Sequence, residues 1–189
     1  MNDLTSNILE HNLAMRKHLL FALLSLVFFS CKPTTADLEK KLVDLDKEIG
    51  GAKAPNKEKA AQFIQTSEEL AALVQTSDQE KYVNVLLRAA GLAKAVENPN
   101  KAIELYSKVS EGLPQHAKAP SALFMQAFIY ENDLGEMQKA KTTYESFLQR
   151  FPNDPDFADD AQNALKMLGK SPEEIVKEFE KMQQEVKTQ

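Results

Sequence analysis

The feature that most constrains this chain is a motif written twice. Lys139 to Pro152 reads K-A-K-T-T-Y-E-S-F-L-Q-R-F-P. Thirty-eight residues upstream, Lys101, Ala102, Tyr106, Val109, Leu113 and Pro114 match Lys139, Ala140, Tyr144, Phe147, Phe151 and Pro152 at identical spacing. Residues three and four apart share one face of a helix, and a closing proline cannot continue it. Self-similarity at a fixed period of this size marks helical units that bury their apolar faces by stacking on one another. The expected fold class is therefore all-α: antiparallel helix hairpins stacked as a short α-solenoid.

The chain has 189 residues, 43 % of them hydrophobic, which suits one helical domain. Its 23 Lys and Arg against 28 Asp and Glu leave a net charge of -5. That balance argues against duplex nucleic acid, whose affinity rests on cations neutralising phosphates. A single cysteine, Cys31, excludes an internal disulfide and any C-x-x-C pair.

The cysteine has a particular setting. Leu19 to Phe29 is an uncharged apolar run, preceded by Arg16, Lys17 and His18 and followed at once by Ser30 and Cys31. A helical span needs about 20 apolar residues, so this run is too short to cross a bilayer. A basic start, a short apolar middle and a small residue before the cut describe a secretory signal. With cysteine just after that cut, residues 1–30 resemble a bacterial lipoprotein signal whose lipobox is Phe28-Phe29-Ser30-Cys31. The bulky Phe28 and Phe29 depart from the commonest box and are similar to the looser boxes of Bacteroidetes-type lipoproteins. Met15 opens M-R-K-H, whereas Asp3 and Glu10 stand ahead of it, so translation is expected to begin at Met15. The resemblance implies that Cys31 carries two or three acyl chains, enough for stable anchoring where one is marginal. Lys32, in place of the aspartate that retains lipoproteins in the inner membrane, implies the outer membrane. Pro33, Thr34, Thr35 and Ala36 replace the acidic cluster linked with surface display, which favours the periplasmic face.

Residues 31–55 are expected to form an acylated tether containing one short helix. Leu38, Leu42, Leu45 and Ile49 fall at helical spacing. They suit a short coiled-coil seam, a helix docked on its own domain, or one fraying in the tether. Gly50, Gly51 and Pro55 then break the pattern, which places a domain boundary there. From residue 56 the punctuation predicts seven helices, over 56–75, 78–97, 99–113, 120–133, 137–150, 155–168 and 172–186. Asn98-Pro99, Asp154-Pro155 and Ser171-Pro172 each offer a side-chain acceptor followed by a proline suited to the first helical position. Ser77 with Glu80, and Ser171 with Glu174, have capping-box spacing. Gly135 and Gly169 suit the left-handed residue that closes a helix.

Residues 56–169 resemble the tetratricopeptide repeat family, with 172–186 as a C-terminal capping helix. Second helices supply Ala102, Tyr106, Val109 and Pro114, then Ala140, Tyr144, Phe147 and Pro152. First helices supply Leu86, Ala89 and Ala90, then Leu123 and Ala127. The helix at 56–75, with Ala60, Phe63 and Ile64, is similar to an earlier half-repeat. The departures are a period longer than the usual thirty-four or so and one extra residue within Glu131 to Leu134. Within the family, the segments A-P-S-A-L-F-M-Q-A and K-A-x-x-x-Y-x-x-F-x-x-x-F-P resemble envelope proteins of two types. These are the Tol-Pal-associated cell-division coordinator and the lipoprotein subunit of the outer-membrane barrel assembly machine.

No constellation for catalysis stands out. His116 is the mature chain's one histidine, in the Gln115-His116-Ala117 turn, and is expected to be a solvated surface residue. Asp156, Asp159 and Asp160 gather where a helix dipole favours negative charge and lack the glycine turn of a calcium loop. There is no Gly-rich phosphate loop. An enzyme is not expected, nor is a metal or cofactor.

The family resemblance implies that first helices line a concave groove. Carried onto this chain, its pattern places Asn84, Leu87, Gly91 and Lys94 there, with Arg88 at the edge, followed by Phe124, Phe128, Glu131 and Asn132. Phe124 and Phe128 suit either exposed anchors or packing between helices. Gly91, costly within a helix, points to a close helix approach or to access to the groove. The implied function is a lipid-tethered, non-catalytic scaffold that binds an envelope protein or peptide segment. The alternatives are a structural subunit of outer-membrane protein assembly and a ligand-binding lipoprotein of an uptake system.

Overall fold

A computed structural model describes residues 32–50, 56–171, 173–177 and 180. Among these, seven helices follow one another: α1 Thr35–Gly50, α2 Lys57–Val74, α3 Gln79–Ala95, α4 Pro99–Ser110, α5 Ala119–Asn132, α6 Met137–Arg150 and α7 Ala158–Met167. Each helix packs on the next, from α1 against α2 to α6 against α7. The result is an all-helical solenoid of tetratricopeptide type, with hairpins α1/α2, α3/α4 and α5/α6 closed by α7. The described part of the expected capping helix is helical over 173–177.

The helix ends follow from local chemistry. Asn56 accepts hydrogen bonds from the N–H groups of Glu58 and Lys59, and Asn98 caps α4 by accepting from Lys101. Asp154 accepts from Asp156 and Phe157 just ahead of α7. Ser171 and Glu174 form the expected capping box, each side chain accepting from the other's N–H. Gly135 and Gly169 adopt φ of 64° and 74°. The box expected at Ser77 does not form, because Asp78 stands one residue closer to the helix and its carboxylate takes the cap from Lys81.

The principal correction concerns α1. Its Leu38, Leu42 and Leu45 are buried in the same cluster as Phe63 and Ile64 of α2 and Leu86 and Ala89 of α3. Ion pairs add register: Glu48 with Lys59 at 2.9 Å, Glu39 with Lys81 at 2.6 Å, and Asp46 with Arg88. The last two join α1 to α3 at the same forty-two-residue separation. The compact unit accordingly begins at Thr35, so the boundary expected at Gly50 to Pro55 falls inside it. Of the three readings open from the sequence, the helix docked on its own domain is the one the packing matches, and the coiled-coil seam and the fraying tether are not. The helix is the first of the first hairpin, and the half-repeat seen in the sequence is whole.

The core alternates small and large side chains. Ala60, Ala89, Ala90, Ala93, Ala102, Ala122, Ala127 and Ala140 are all fully buried and let helices approach closely. Leu70, Leu86, Leu105, Tyr144 and Phe147 fill the space between them. Buried polar groups tie the repeats together. Gln126 donates to Ser110 Oγ at 2.8 Å, and Arg150 donates to the Ser110 carbonyl and to Glu111. The Tyr144 hydroxyl donates to Glu131 at 2.8 Å. Burial, reinforced by that carboxylate, pushes its phenol far above the ordinary range, so it remains a donor.

Candidate partner-binding site

The first helices α1 and α3 bring part of the expected groove together. Between α1 and α3 lies an open cleft with two lobes. The larger, about 500 Å³, is lined by Ile49, Phe63, Leu87, Gly91, Leu92 and Ala95. The smaller, about 260 Å³, is lined by Leu42, Val43, Phe63, Ser67, Asn84 and Val85. Arg88 and Asp46 border both lobes and pair across the cleft. The guanidinium also stands over the Phe63 ring, 5.6 Å from its centre, a cation–π contact that keeps the cation in place.

Of the residues expected on the groove, Asn84, Leu87, Arg88 and Gly91 line this cleft. A Cβ added to Gly91 would meet nothing within 4 Å among the described residues, so no described helix requires the glycine and it opens onto the cleft. Lys94 lies farther along, 5.4 Å from the centre of the Phe128 ring and paired with Asp133 at 3.3 Å. Lys94, Asn132 and Asp133 line a further pocket of about 340 Å³ with Glu97 and Pro99. Asn132 is exposed and donates to the Phe128 carbonyl at 3.0 Å.

On α5 the expectation for Phe124 needs correction, and Phe128 and Glu131 are already engaged by neighbours. Phe124 is buried, stacked on Phe157 at 4.7 Å and packed against Tyr144 and Phe147. It belongs to the core because Phe157, from the turn entering α7, covers it. Phe128 is half-buried beneath the Lys94 ammonium. Glu131 is engaged by the Tyr144 hydroxyl. His116 is also not the solvated residue expected. Its side chain is only 9 % exposed, with Nδ1 accepting the Lys118 N–H and Nε2 lying 3.1 Å from Glu80. The ring fastens the α4–α5 connection to the start of α3.

Sequence reasoning missed Asp46, Ile49, Leu42 and Val43 of α1, and Ser67 of α2. A signal was available. Asn56, Lys59, Ala60 and Ile64 match Asn98, Lys101, Ala102 and Tyr106 at a spacing of forty-two, four residues longer than the next interval. That match makes α2 a second helix and requires a first helix before it.

Cys31 lies outside the described residues. Among the described residues no group of three or more His, Cys, Asp or Glu could hold a metal ion, and no helix is long and apolar enough to cross a membrane. Residues 121–154, which span α5, α6 and the turn after them, match the tetratricopeptide repeat family. No curated protein matches the chain. The chain thus contains a tetratricopeptide repeat, a unit of protein–protein interaction scaffolds.

Proposed function

We propose that this protein is a non-catalytic, lipid-anchored adaptor that docks a protein segment on the face formed by α1 and α3, in the periplasm at the outer membrane. The observation that carries the docking role is the open apolar cleft between these first helices, bridged by one ion pair and widened by Gly91. A stacked array offers such a face to an extended or helical segment. The anchor rests on the lipoprotein-like signal ending at Cys31. Because α1 belongs to the array, only Lys32, Pro33 and Thr34 separate that cysteine from the folded unit. Tethering acts by mass action, raising the effective concentration of whatever the cleft holds.

The test is site-specific photo-crosslinking in living cells from Gly91, with exposed Lys177 as control. One dominant envelope protein captured from Gly91 alone is expected; equal capture from both positions would overturn the docking role. The anchor is tested separately by Cys31→Ser, which is expected to abolish palmitate labelling and release the protein from the membrane fraction. Retention of either would refute acylation at that residue.

A further inference from the structure

We propose that the smaller lobe of the cleft receives a tyrosine side chain of the docked segment, while an acidic neighbour of that tyrosine binds Arg88. This rests on the docking role above and specifies its ligand. The register of the second helices leaves room beside Ser67. Lys59, Ala60, Ile64 and Ser67 of α2 correspond to Lys101, Ala102, Tyr106 and Val109 of α4, and to Lys139, Ala140, Tyr144 and Phe147 of α6. Val109 and Phe147 are fully buried and fill the space beneath their first helices. Ser67 is equally buried but lacks their bulk, and the smaller lobe lies beside it.

Among the described residues Ser67 Oγ is buried without a hydrogen-bond partner, although Thr66 beside it donates to the Gln62 carbonyl, the common resort of helical hydroxyls. A desolvated hydroxyl without a partner destabilises a fold, so a ligand that reaches it with a polar tip gains affinity. The walls are the apolar Leu42, Val43, Phe63 and Val85. An aromatic body with a hydrogen-bonding tip fits both, and a tyrosine phenol has that form.

Charge beside the lobe selects the neighbour of the tyrosine. Arg88 donates one N–H to Asp46 and rests over Phe63, so most of its five-donor fork is unused among the described residues. An approaching carboxylate meets those donors and completes a second charge-assisted contact. An approaching ammonium meets the Arg88 cation and an Asp46 carboxylate that Arg88 already engages.

The experiment follows backbone amide signals of the isotope-labelled full chain in detergent micelles. The probes are three capped tripeptides: Asp-Tyr-Asp, Asp-Phe-Asp and Lys-Tyr-Lys. Asp-Tyr-Asp is expected to move the signals of Val43, Asn84 and Arg88 and to bind about fivefold more tightly than either of the others. Ser67→Ala is expected to erase the preference for tyrosine over phenylalanine. Arg88→Gln is expected to erase the preference over Lys-Tyr-Lys. Ser67→Val, which installs the side chain found at Val109, is expected to weaken Asp-Tyr-Asp about tenfold without lowering the melting temperature. The proposal is overturned if Asp-Tyr-Asp leaves the α1 and α3 signals unmoved, or binds Ser67→Val as it binds the parent. A tripeptide that binds while Gly91 captures no partner refutes the docking role in cells but leaves the subsite. A captured partner indifferent to Ser67→Val refutes the subsite alone.

Discussion

Glu97 is the described non-glycine residue held at positive φ, 62°. It follows α3 where the chain reverses toward α4, with the Asn98 N–H donating back to the Ala93 carbonyl. The later turns at Gly135 and Gly169 use glycine for the same left-handed conformation, which costs a side-chain-bearing residue more. What Glu97 offers in return is an ion pair with Lys57 at 2.8 Å, and that pair is largely exposed and weak for that reason. Glu97→Gly should therefore raise the thermal midpoint by roughly 2–4 °C; a midpoint that falls would mean the ion pair outweighs the backbone. Gly112 presents the opposite case. A Cβ there would collide with the Lys108 carbonyl oxygen, which belongs to the backbone and has little room to move. Gly112→Ala should lose about 1–3 kcal/mol in urea titration, and a neutral result would show that the turn after α4 can shift. Single residues also mark where sequence reasoning stopped. The exposure of Gly91 was legible because a helical glycine asks for a reason. The burial of Phe124 was not, since nothing in α5 itself announces that Phe157, thirty-three positions later, stacks on it.

At the scale of elements, the helices were legible wherever the chain carries strong punctuation. Asn98-Pro99 and Gly135 placed the helix ends they flank within a few residues, because capping groups and left-handed glycines act locally. The boundary placed after α1 was wrong for a physical reason as well. Four leucine and isoleucine positions over about three turns state that a helix has an apolar stripe but not what covers it, and Gly50 with Pro55 imitates a linker. Only the register between Asn56-Lys59-Ala60 and Asn98-Lys101-Ala102 resolves the question, and a four-residue expansion of the period hides it. Because Leu38 is 2 % exposed within the main core cluster, Leu38→Ala should cost about 2–4 kcal/mol of global stability. Amide exchange should then accelerate in α2 and α3 as well as in α1. Unchanged protection in α2 would instead mean that α1 is a detachable appendage.

The outer face of the whole array carries an electrostatic clasp. Glu68 of α2 lies 2.8 Å from both Lys101 and Lys108 of α4, and Glu104 bridges the same two lysines. Partial burial raises the Glu68 carboxyl, but the hydrogen bonds and charges of the two lysines outweigh it and leave it below its ordinary value. The hydrogen bonds from Lys108 and then Lys101 lower Glu104 likewise. Carboxyls depressed in the folded state bind protons more readily once unfolded, so their contribution is complete above about pH 4.5 and disappears as pH falls through the folded values. The urea midpoint should drop below about pH 4.5, and Glu68→Gln should flatten that part of the profile; an identical acid limb in the variant would exclude the clasp. Since each helix packs chiefly on the one that precedes or follows it in sequence, no distant segments must find each other before the fold gains stability. Contact order is low, the closing loops are short, and folding belongs to the fast regime of helical proteins. A chain built this way can fold from one end as it emerges, hairpin by hairpin, and each new hairpin finds its docking surface already formed.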